Sequence, residues 1–193
     1  MKKLILLLLF TISIYAQELI LGASIDIKAG RTTDTKFAIA NSTQFDESSI
    51  GFYETFSITG SLEFNNNTML AGKIGYGTGP LSYKGYDLGI FYNSNNLLKN
   101  FFISAGLNTH INIPSKEIYI SRTLFSPHLG IGYKIIHKIS LELFYEYAFP
   151  QIVTKEKPSE INHQLYYSVG LGLQIYFVKW NKFLKDINIK WKS

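Results

Sequence analysis

The chain of 193 residues contains no cysteine. Disulfide bonds are therefore excluded, and so is a lipoprotein anchor, because that anchor needs a cysteine at its cleavage site. Long apolar runs are also scarce: residues 4–10 form the one clear example. This run is shorter than the roughly 18 residues that a membrane-spanning helix needs, so the sequence predicts no helix that crosses a bilayer.

The N-terminus has the order of features found in a secretory signal peptide. It begins with Lys2 and Lys3, continues through the apolar residues 4–10 and reaches the small residue Ala16. This order predicts a signal peptide over residues 1–16 that is cleaved after Ala16. An N-terminal membrane anchor is the alternative, although the apolar run is short for one. The remaining length is typical of a single exported domain.

The formal net charge of +5 does not describe the body of the chain. Lys2 and Lys3 leave with the signal peptide, and residues 178–193 carry five lysines against the single acidic residue Asp186. The segment between them is close to neutral. Such a chain lacks the clustered basic face of a nucleic-acid-binding protein, so the sequence predicts no nucleic-acid partner.

Residues 164–177 show the strongest periodicity in the chain. Their odd positions, from Leu165 to Phe177, are all apolar or aromatic, whereas the even positions are mostly small or polar. Strict alternation over this length predicts a β-strand with one apolar face. Seven further segments alternate in the same way, and the eight predicted strands are residues 18–29, 50–64, 69–79, 81–93, 101–112, 123–135, 139–149 and 164–177.

The polar faces of these strands carry Gly, Ser, Thr, Asn and Gln but few charges. A soluble sandwich would place more charges on its solvent face, so these faces are predicted to be enclosed. Glycines such as Gly132 and Gly170 would leave room for larger inward residues such as His128 and Glu142. Short turns alternate with longer polar loops, of which residues 31–49 are one, as in transmembrane barrels. We interpret the chain as an all-β, eight-stranded antiparallel up-and-down transmembrane barrel, with a soluble β-barrel or sandwich as the alternative.

Aromatic residues recur near the ends of the predicted strands, which suits girdles at the two interfaces of a membrane. Ordinary β-propensity is the alternative explanation for them. The residues predicted to form these girdles are Tyr53, Tyr83, Tyr92, Phe101, Tyr147, Phe149, Tyr167 and Phe177.

Gly172, Ile175 and Phe177 resemble the closing-strand signal of bacterial outer-membrane barrels, a glycine followed by apolar or aromatic residues three and five positions later. Together with the whole pattern, the chain resembles the small eight-stranded barrels of the OmpX type and of the membrane domain of OmpA. The resemblance implies the outer membrane of a Gram-negative envelope, with outer-membrane lipid and the barrel-assembly machinery as partners. Residues 17–177 would form the barrel, and residues 178–193 a basic tail in the periplasm.

Seven polar residues are predicted to form a network inside the lumen, namely Glu63, Lys73, Asp87, His110, His128, Glu142 and Glu146. Counting along the strands places His128 opposite Glu146, and Lys73 opposite Ser61 and near Glu63. One interpretation is a polar plug whose members must satisfy one another because they are dehydrated. The other is a gate whose pairs exchange to open a narrow path.

The predicted function is a structural or surface-interaction role in the envelope, without catalysis, cofactor or metal, and with a surface ligand that the sequence does not identify. Two alternatives stay open: a narrow porin-like channel or carrier for small solutes, and a lipid A-modifying enzyme. The enzyme would use Ser126, His128 and Glu146, which are the residue types of a hydrolase triad. These residues fall on the inward face, away from lipid, and the four histidines of the chain lack metal-ligand spacing.

Overall fold

Eight antiparallel β-strands close into a barrel in a computed structural model of the chain. The structure describes residues 18–38, 43–64, 68–80, 83–98, 100–113, 123–156 and 161–181. The strands are β1 (Glu18–Ala38), β2 (Thr43–Phe64), β3 (Thr68–Thr78), β4 (Lys84–Leu98), β5 (Phe101–Asn112), β6 (Thr123–Ile136), β7 (Ile139–Glu156) and β8 (Ile161–Asn181). Each strand pairs with its neighbours in the sequence, and β8 pairs with β1 to close the sheet. The predicted eight-stranded up-and-down antiparallel barrel is confirmed.

The outer surface of the barrel is apolar, because the apolar set of every alternating strand faces outward. Large hydrophobic side chains are exposed on all eight strands, and Ile58, Ile90 and Leu171 are 73%, 66% and 60% exposed. The polar set faces the lumen, where most of its members are buried. A soluble β-barrel has the opposite arrangement, since its apolar residues fill the core and its polar residues meet water.

The two ends of the barrel differ. The turn end contains the first residue of β1, the last residue of β8 and three connections, of which the one between β6 and β7 is a tight turn at His137 and Lys138. The loop end contains the other four connections. Among the described residues, no helix is long and apolar enough to cross a membrane.

β1 and β2 are longer than the sequence analysis predicts. They remain paired as far as Ala38 and Thr43, so the loop predicted over residues 31–49 is wrong for residues 31–38 and 43–49, which continue the hairpin, while residues 39–42 lie outside the described residues. β7 and β8 stay paired in the same way up to Glu156 and Ile161. The prediction failed because residues 31–36 and 46–49 have no apolar face, while the threonines among them favour an extended backbone. At the loop end, β2, β1, β8 and β7 together form a four-stranded extension, here named the protruding sheet.

A register shift at Tyr166 places the side chain of Leu165 on the inward face of β8 instead of the outward face. Arg31 pairs with Tyr167, but the next residue of β1, Thr32, pairs with Leu165. The extra residue on β8 is a β-bulge, and it turns Leu165 into the barrel interior, where this side chain is buried. The prediction that all odd positions of this strand share one face is therefore wrong at Leu165.

A second register shift in β8 lies at Phe177, between the pairs formed by Tyr176 and Val178. Of the three residues that resemble a closing-strand signal, Gly172 faces the lumen, whereas Ile175 and Phe177 are exposed on the outer surface. β8 continues through Asn181. The rest of the predicted basic tail, residues 182–193, lies outside the described residues.

Three inward phenylalanine rings each lie over a glycine of the neighbouring strand. The pairs are Phe91 with Gly106, Phe102 with Gly132 and Phe144 with Gly170. A Cβ atom on any of these glycines would overlap the facing ring, so the absence of a side chain leaves the space that the ring fills. The glycines make room for large inward residues as predicted, but over Gly132 and Gly170 aromatic rings occupy that room instead of His128 or Glu142.

Candidate functional site

Glu146 on β7 lies at the centre of the polar network that fills the lumen. It accepts hydrogen bonds from Lys28 Nζ at 2.9 Å, Asn108 Nδ2 at 3.1 Å and Ser168 Oγ at 3.4 Å. Nδ1 of His128 lies 3.3 Å from Oε1, the oxygen that also accepts from Asn108, whereas Lys28 and Ser168 donate to Oε2. The side chains of Lys28 and Glu146 are only 4% and 7% exposed. Partners from four other strands therefore offset the cost of burying this carboxylate.

His128 on β6 joins Glu146 to a second carboxylate, that of Glu142. Its Nε2 lies 3.1 Å from Oε1 of Glu142, which also accepts a hydrogen bond from Ser104. The imidazole stacks on Phe144, with ring centroids 4.9 Å apart. Because a carboxylate faces each ring nitrogen, both nitrogens are placed to donate, as they do in a charged imidazolium. His128 and Glu146 are paired across β6 and β7 in the register that the sequence analysis predicts.

Lys73 on β3 forms an ion pair with Asp26 on β1. The sequence analysis places Lys73 opposite Ser61 and near Glu63, but in the structure its backbone pairs with Thr59. The predicted register was wrong by two residues: it would pair Phe64 with Leu70, whereas in the structure Phe64 pairs with Thr68 across a shorter connection. The contact with Asp26 crosses β2 altogether, so counting along one hairpin does not predict it.

Asp87 and His110 form a third acid–base pair, nearer the loop end. Nδ1 of His110 lies 3.1 Å from Oδ1 of Asp87, and Thr55 donates a hydrogen bond of 2.8 Å to the other oxygen. Nε2 of His110 lies 2.9 Å from the side-chain oxygen of Asn112. The ring of Tyr83 stacks on the imidazole with a centroid distance of 3.6 Å. This pair is fixed by hydrogen bonds and by an aromatic ring at the same time.

Glu63 lies apart from the other predicted network residues. It is at the turn end, where Nζ of Lys179 is 3.6 Å from its carboxylate and also forms an ion pair with Glu18. The other six predicted residues lie in the lumen and form ion pairs there. The structure thus divides the predicted network into a lumen group and a separate turn-end group.

Two members of the lumen group, Asp26 and Lys28, are absent from the predicted network. Both occupy inward positions of β1, one on each side of the exposed residue Ile27. The same alternation that identified the other inward residues was therefore visible for these two. With them, the lumen holds four carboxylates and four basic side chains that all form ion pairs within the set: Asp26, Asp87, Glu142 and Glu146, and Lys28, Lys73, His110 and His128.

An apolar cluster closes the lumen between this network and the loop end. It consists of Tyr53, Tyr83, Leu124, Ala148 and Leu165, all buried, and is here named the apolar cap. The rings of Tyr53 and Tyr83 pack edge to face with centroids 4.7 Å apart. These two tyrosines occupy inward positions, so their predicted place in an outer aromatic girdle is wrong.

Little space remains inside the barrel. Two lumen cavities have volumes of about 30 Å³ and about 10 Å³, the larger lined by Asp26, Lys73 and Glu142 among others. Since a water molecule needs at least about 10–15 Å³ on this measure, the larger cavity has room for two or so. Ser24 Oγ and Asn93 Oδ1 line it without a protein hydrogen-bond partner, as expected for groups that bind water. Neither cavity has room for a larger solute.

The triad considered in the sequence analysis does not form as predicted. His128 contacts Glu146, but the hydroxyl beside its Nε2 belongs to Ser104, at 3.3 Å, rather than to Ser126. Ser104 is 1% exposed and donates to Glu142, which also faces Nε2. A nitrogen that faces a carboxylate is poorly placed to take a proton from serine. Within the described segments, no group of three or more His, Asp or Glu side chains has an arrangement that could hold a metal ion.

Comparisons with known proteins add no family assignment. No protein-family model matches the chain, and no curated protein matches it. Neisserial surface protein A (NspA) is 14% identical, with 80% of this chain and 97% of that chain covered and a TM-score of 0.44. The N-terminal β-barrel domain of Pseudomonas aeruginosa OprF is 16% identical, with 80% and 97% covered and a TM-score of 0.42. Ail, the attachment invasion locus protein of Yersinia pestis, is 15% identical, with 80% and 99% covered and a TM-score of 0.33. At these values the similarity carries no argument, and the fold assignment rests on the strand pairing within this chain.

Proposed function

We propose that the chain is a barrel of a bacterial outer membrane with a structural or surface-interaction role, and that it neither conducts solutes nor catalyses a reaction. The observation that carries this proposal is the reversed polarity of the barrel, which is apolar outside and charged inside. Apolar outward positions extend over residues 125–135 of β6 and 139–149 of β7, and the belt of such positions around the barrel is here named the apolar band. A tilted strand needs about 9–11 residues to cross a bilayer. Closure also pairs the strands on both sides through the middle of this region, up to Glu54 of β2 and Glu146 of β7, and lipid requires such pairing.

Exposed aromatic rings at both borders of the apolar band support the same placement, because such rings favour the membrane interfaces. The rings toward the turn end belong to Tyr92, Phe101, Tyr133, Phe177 and Trp180, and those toward the loop end to Phe52, Tyr86, Tyr147, Phe149 and Tyr167. In barrels of this kind the short turns face the periplasm and the longer connections face outward. The turn end, with both strand termini, is therefore periplasmic, and the protruding sheet extends from the cell surface.

The protruding sheet supports a role in surface interaction. β3 pairs with β2 only as far as Glu54, so residues 46–53 have no β3 partner among the described residues. On the other side, the pairing of β6 with β7 ends at Glu146. In the part of the chain that the structure describes, residues 48–53 of β2 and residues after Glu146 of β7 are therefore strand edges beyond the end of the pairing with β3 and β6, to which an extended segment of a partner protein can add as a further strand.

The sealed lumen predicts that the purified barrel does not conduct ions. In a planar bilayer it should produce only the background current of protein-free lipid, because the charged network and the apolar cap fill the path. A water-filled porin reconstituted in the same way serves as the positive control. Reproducible conductance steps from the barrel would contradict the proposed closed state and would favour the channel alternative.

A further inference from the structure

A pocket of about 300 Å³ opens at the turn end of the barrel, outside the lumen network. This turn-end pocket is lined by residues of β1, β2, β3, β6 and β8 and of the turn that joins β6 to β7. On β8 the lining includes the inward residue Tyr176 and also Phe177 and Val178, which are exposed on the outer surface, so the pocket reaches the outer face of the barrel. Its volume is at the lower limit of small-molecule sites and about ten times that of the larger lumen cavity. Unlike the lumen, this pocket therefore has room for a ligand larger than water.

The charges around the turn-end pocket are mainly positive. Lys134, Lys138 and Lys179 line it, with Glu63 as the acidic residue among the lining groups. Lys179 is already engaged by Glu18 and Glu63. Among the described residues, Lys134 and Lys138 form no ion pair, and Lys134 is only partly exposed. The two ammonium groups are therefore available to an anionic ligand that brings its own negative charge.

Most of the remaining lining of the turn-end pocket is apolar, although His137 and Tyr176 also contribute to it. Ile20, Met69, Phe177 and Val178 contribute to its lining. The bulge at Phe177 is part of this arrangement, because beyond it Lys179 pairs with Ile20, on the pocket side of the wall. A ligand that fits such a site combines an anionic group with a hydrocarbon segment. A free inorganic anion would leave the apolar lining without a partner.

The depth of the turn-end pocket relative to the membrane indicates where such a ligand would come from. Phe177 and Trp180 belong to the aromatic border of the apolar band, and Phe177 also lines the pocket. Aromatic residues of this kind lie at the depth of the lipid headgroups. In the orientation proposed above, that depth is the periplasmic leaflet, where phosphate groups of phospholipids face the barrel.

We propose that the turn-end pocket binds one anionic phospholipid, with its phosphate between Lys134 and Lys138 and the start of an acyl chain against Met69 and Val178. This inference rests on the proposed function, because the phospholipid would come from the membrane in which the barrel is proposed to lie. The pocket itself exists in the folded barrel, so binding can be measured on purified protein in detergent. A failure of binding is then distinguishable from a failure of the proposed location.

Native mass spectrometry of the folded full-length barrel, titrated with a short-chain phosphatidylglycerol, tests the proposal. The expected result is one bound lipid. Lys134→Gln/Lys138→Gln should weaken its binding by about tenfold or more, because the variant loses the attraction of two lysine charges to the lipid phosphate. Lys134→Arg/Lys138→Arg keeps both charges and should bind nearly as well as the unmodified protein. Lys84→Gln at the loop end is the matched control and should leave binding unchanged.

Three outcomes would overturn the proposal. The first is no bound lipid in the unmodified barrel, and the second is equal binding by the unmodified protein and the Lys134→Gln/Lys138→Gln variant. The third is equal binding of inorganic phosphate and phosphatidylglycerol, which would identify a free anion as the ligand. Heat-dependent gel mobility of each variant shows that its barrel is closed, so loss of binding through misfolding is recognised separately.

Discussion

Replacing Glu146 by glutamine is expected to lower the free energy of unfolding by about 3–5 kcal/mol, the cost of removing one partner of a buried ion pair. Glu146 is the only carboxylate within ion-pair distance of Lys28 in the described structure, and both side chains are almost fully buried. The variant therefore leaves the Lys28 ammonium in the lumen without a counter-charge. Urea unfolding of the refolded barrel in lipid vesicles, followed by gel mobility and tryptophan fluorescence, measures the loss.

Two variants show whether the unpaired charge is the cause. Glu54→Gln removes a carboxylate from the exposed outer face of β2 and should change the free energy of unfolding by less than about 0.5 kcal/mol. Lys28→Met/Glu146→Gln removes both charges of the buried pair and should regain most of the loss, because no charge is left uncompensated. Equal stability of Glu146→Gln and Glu54→Gln would show that the buried contact between Lys28 and Glu146 does not stabilise the barrel.

Replacing Ile58 by arginine is expected to destabilise the barrel in lipid vesicles by about 2–4 kcal/mol, the cost of arginine on the lipid face near the bilayer midplane. Ile58 is 73% exposed and lies near the middle of the apolar outer face of β2. In water, an arginine at so exposed a position would cost almost nothing. The magnitude therefore reports the environment of the outer surface rather than the packing of the protein.

Ile50→Arg is the matched control for Ile58→Arg. Ile50 is on the same strand and is equally exposed, at 72%, but it lies on the protruding sheet at the loop end. Its replacement should cost only about 0–1 kcal/mol, as expected outside the membrane midplane. Similar small losses for both variants would mean that water, not lipid, covers the middle of the barrel.

Much of the barrel was predictable because one physical rule acts on every strand. The alternation of apolar and polar residues separates the two faces, as in β7, where Leu141 and Leu143 face outward and Ser140 is buried. The number of strands and the inward positions of His128 and Glu146 follow from this pattern. The barrel class follows as well, because the inward faces carry too few charges for a surface in water.

The departures from prediction arise where local sequence does not determine register. The bulge at Tyr166 inserts one residue into β8 and moves Leu165 to the other face, although the apolar alternation continues unbroken through it. In the hairpin of β2 and β3, a connection shorter than predicted shifts the register by two residues, so that Lys73 pairs with Thr59 instead of Ser61. Turn length and bulges thus decide contacts that periodicity alone leaves open.

The contacts across the lumen could not be derived from hairpin pairing. Lys28 and Glu146 are 118 positions apart, and Asp26 and Lys73 are 47 positions apart on strands that do not pair. Such contacts appear only when the closed barrel brings its inward faces together. The pattern identifies which side chains enter the lumen, whereas closure decides which of them meet.

The central claim is that this chain forms a closed barrel in the outer membrane. Its most direct test is the gel mobility of the outer-membrane fraction of cells that produce the chain, with and without boiling. We predict that the protein is in this fraction and that its band shifts on boiling, because a closed barrel resists detergent until it is heated. Recovery of the protein in the soluble periplasmic fraction, with the same mobility before and after boiling, would contradict the account.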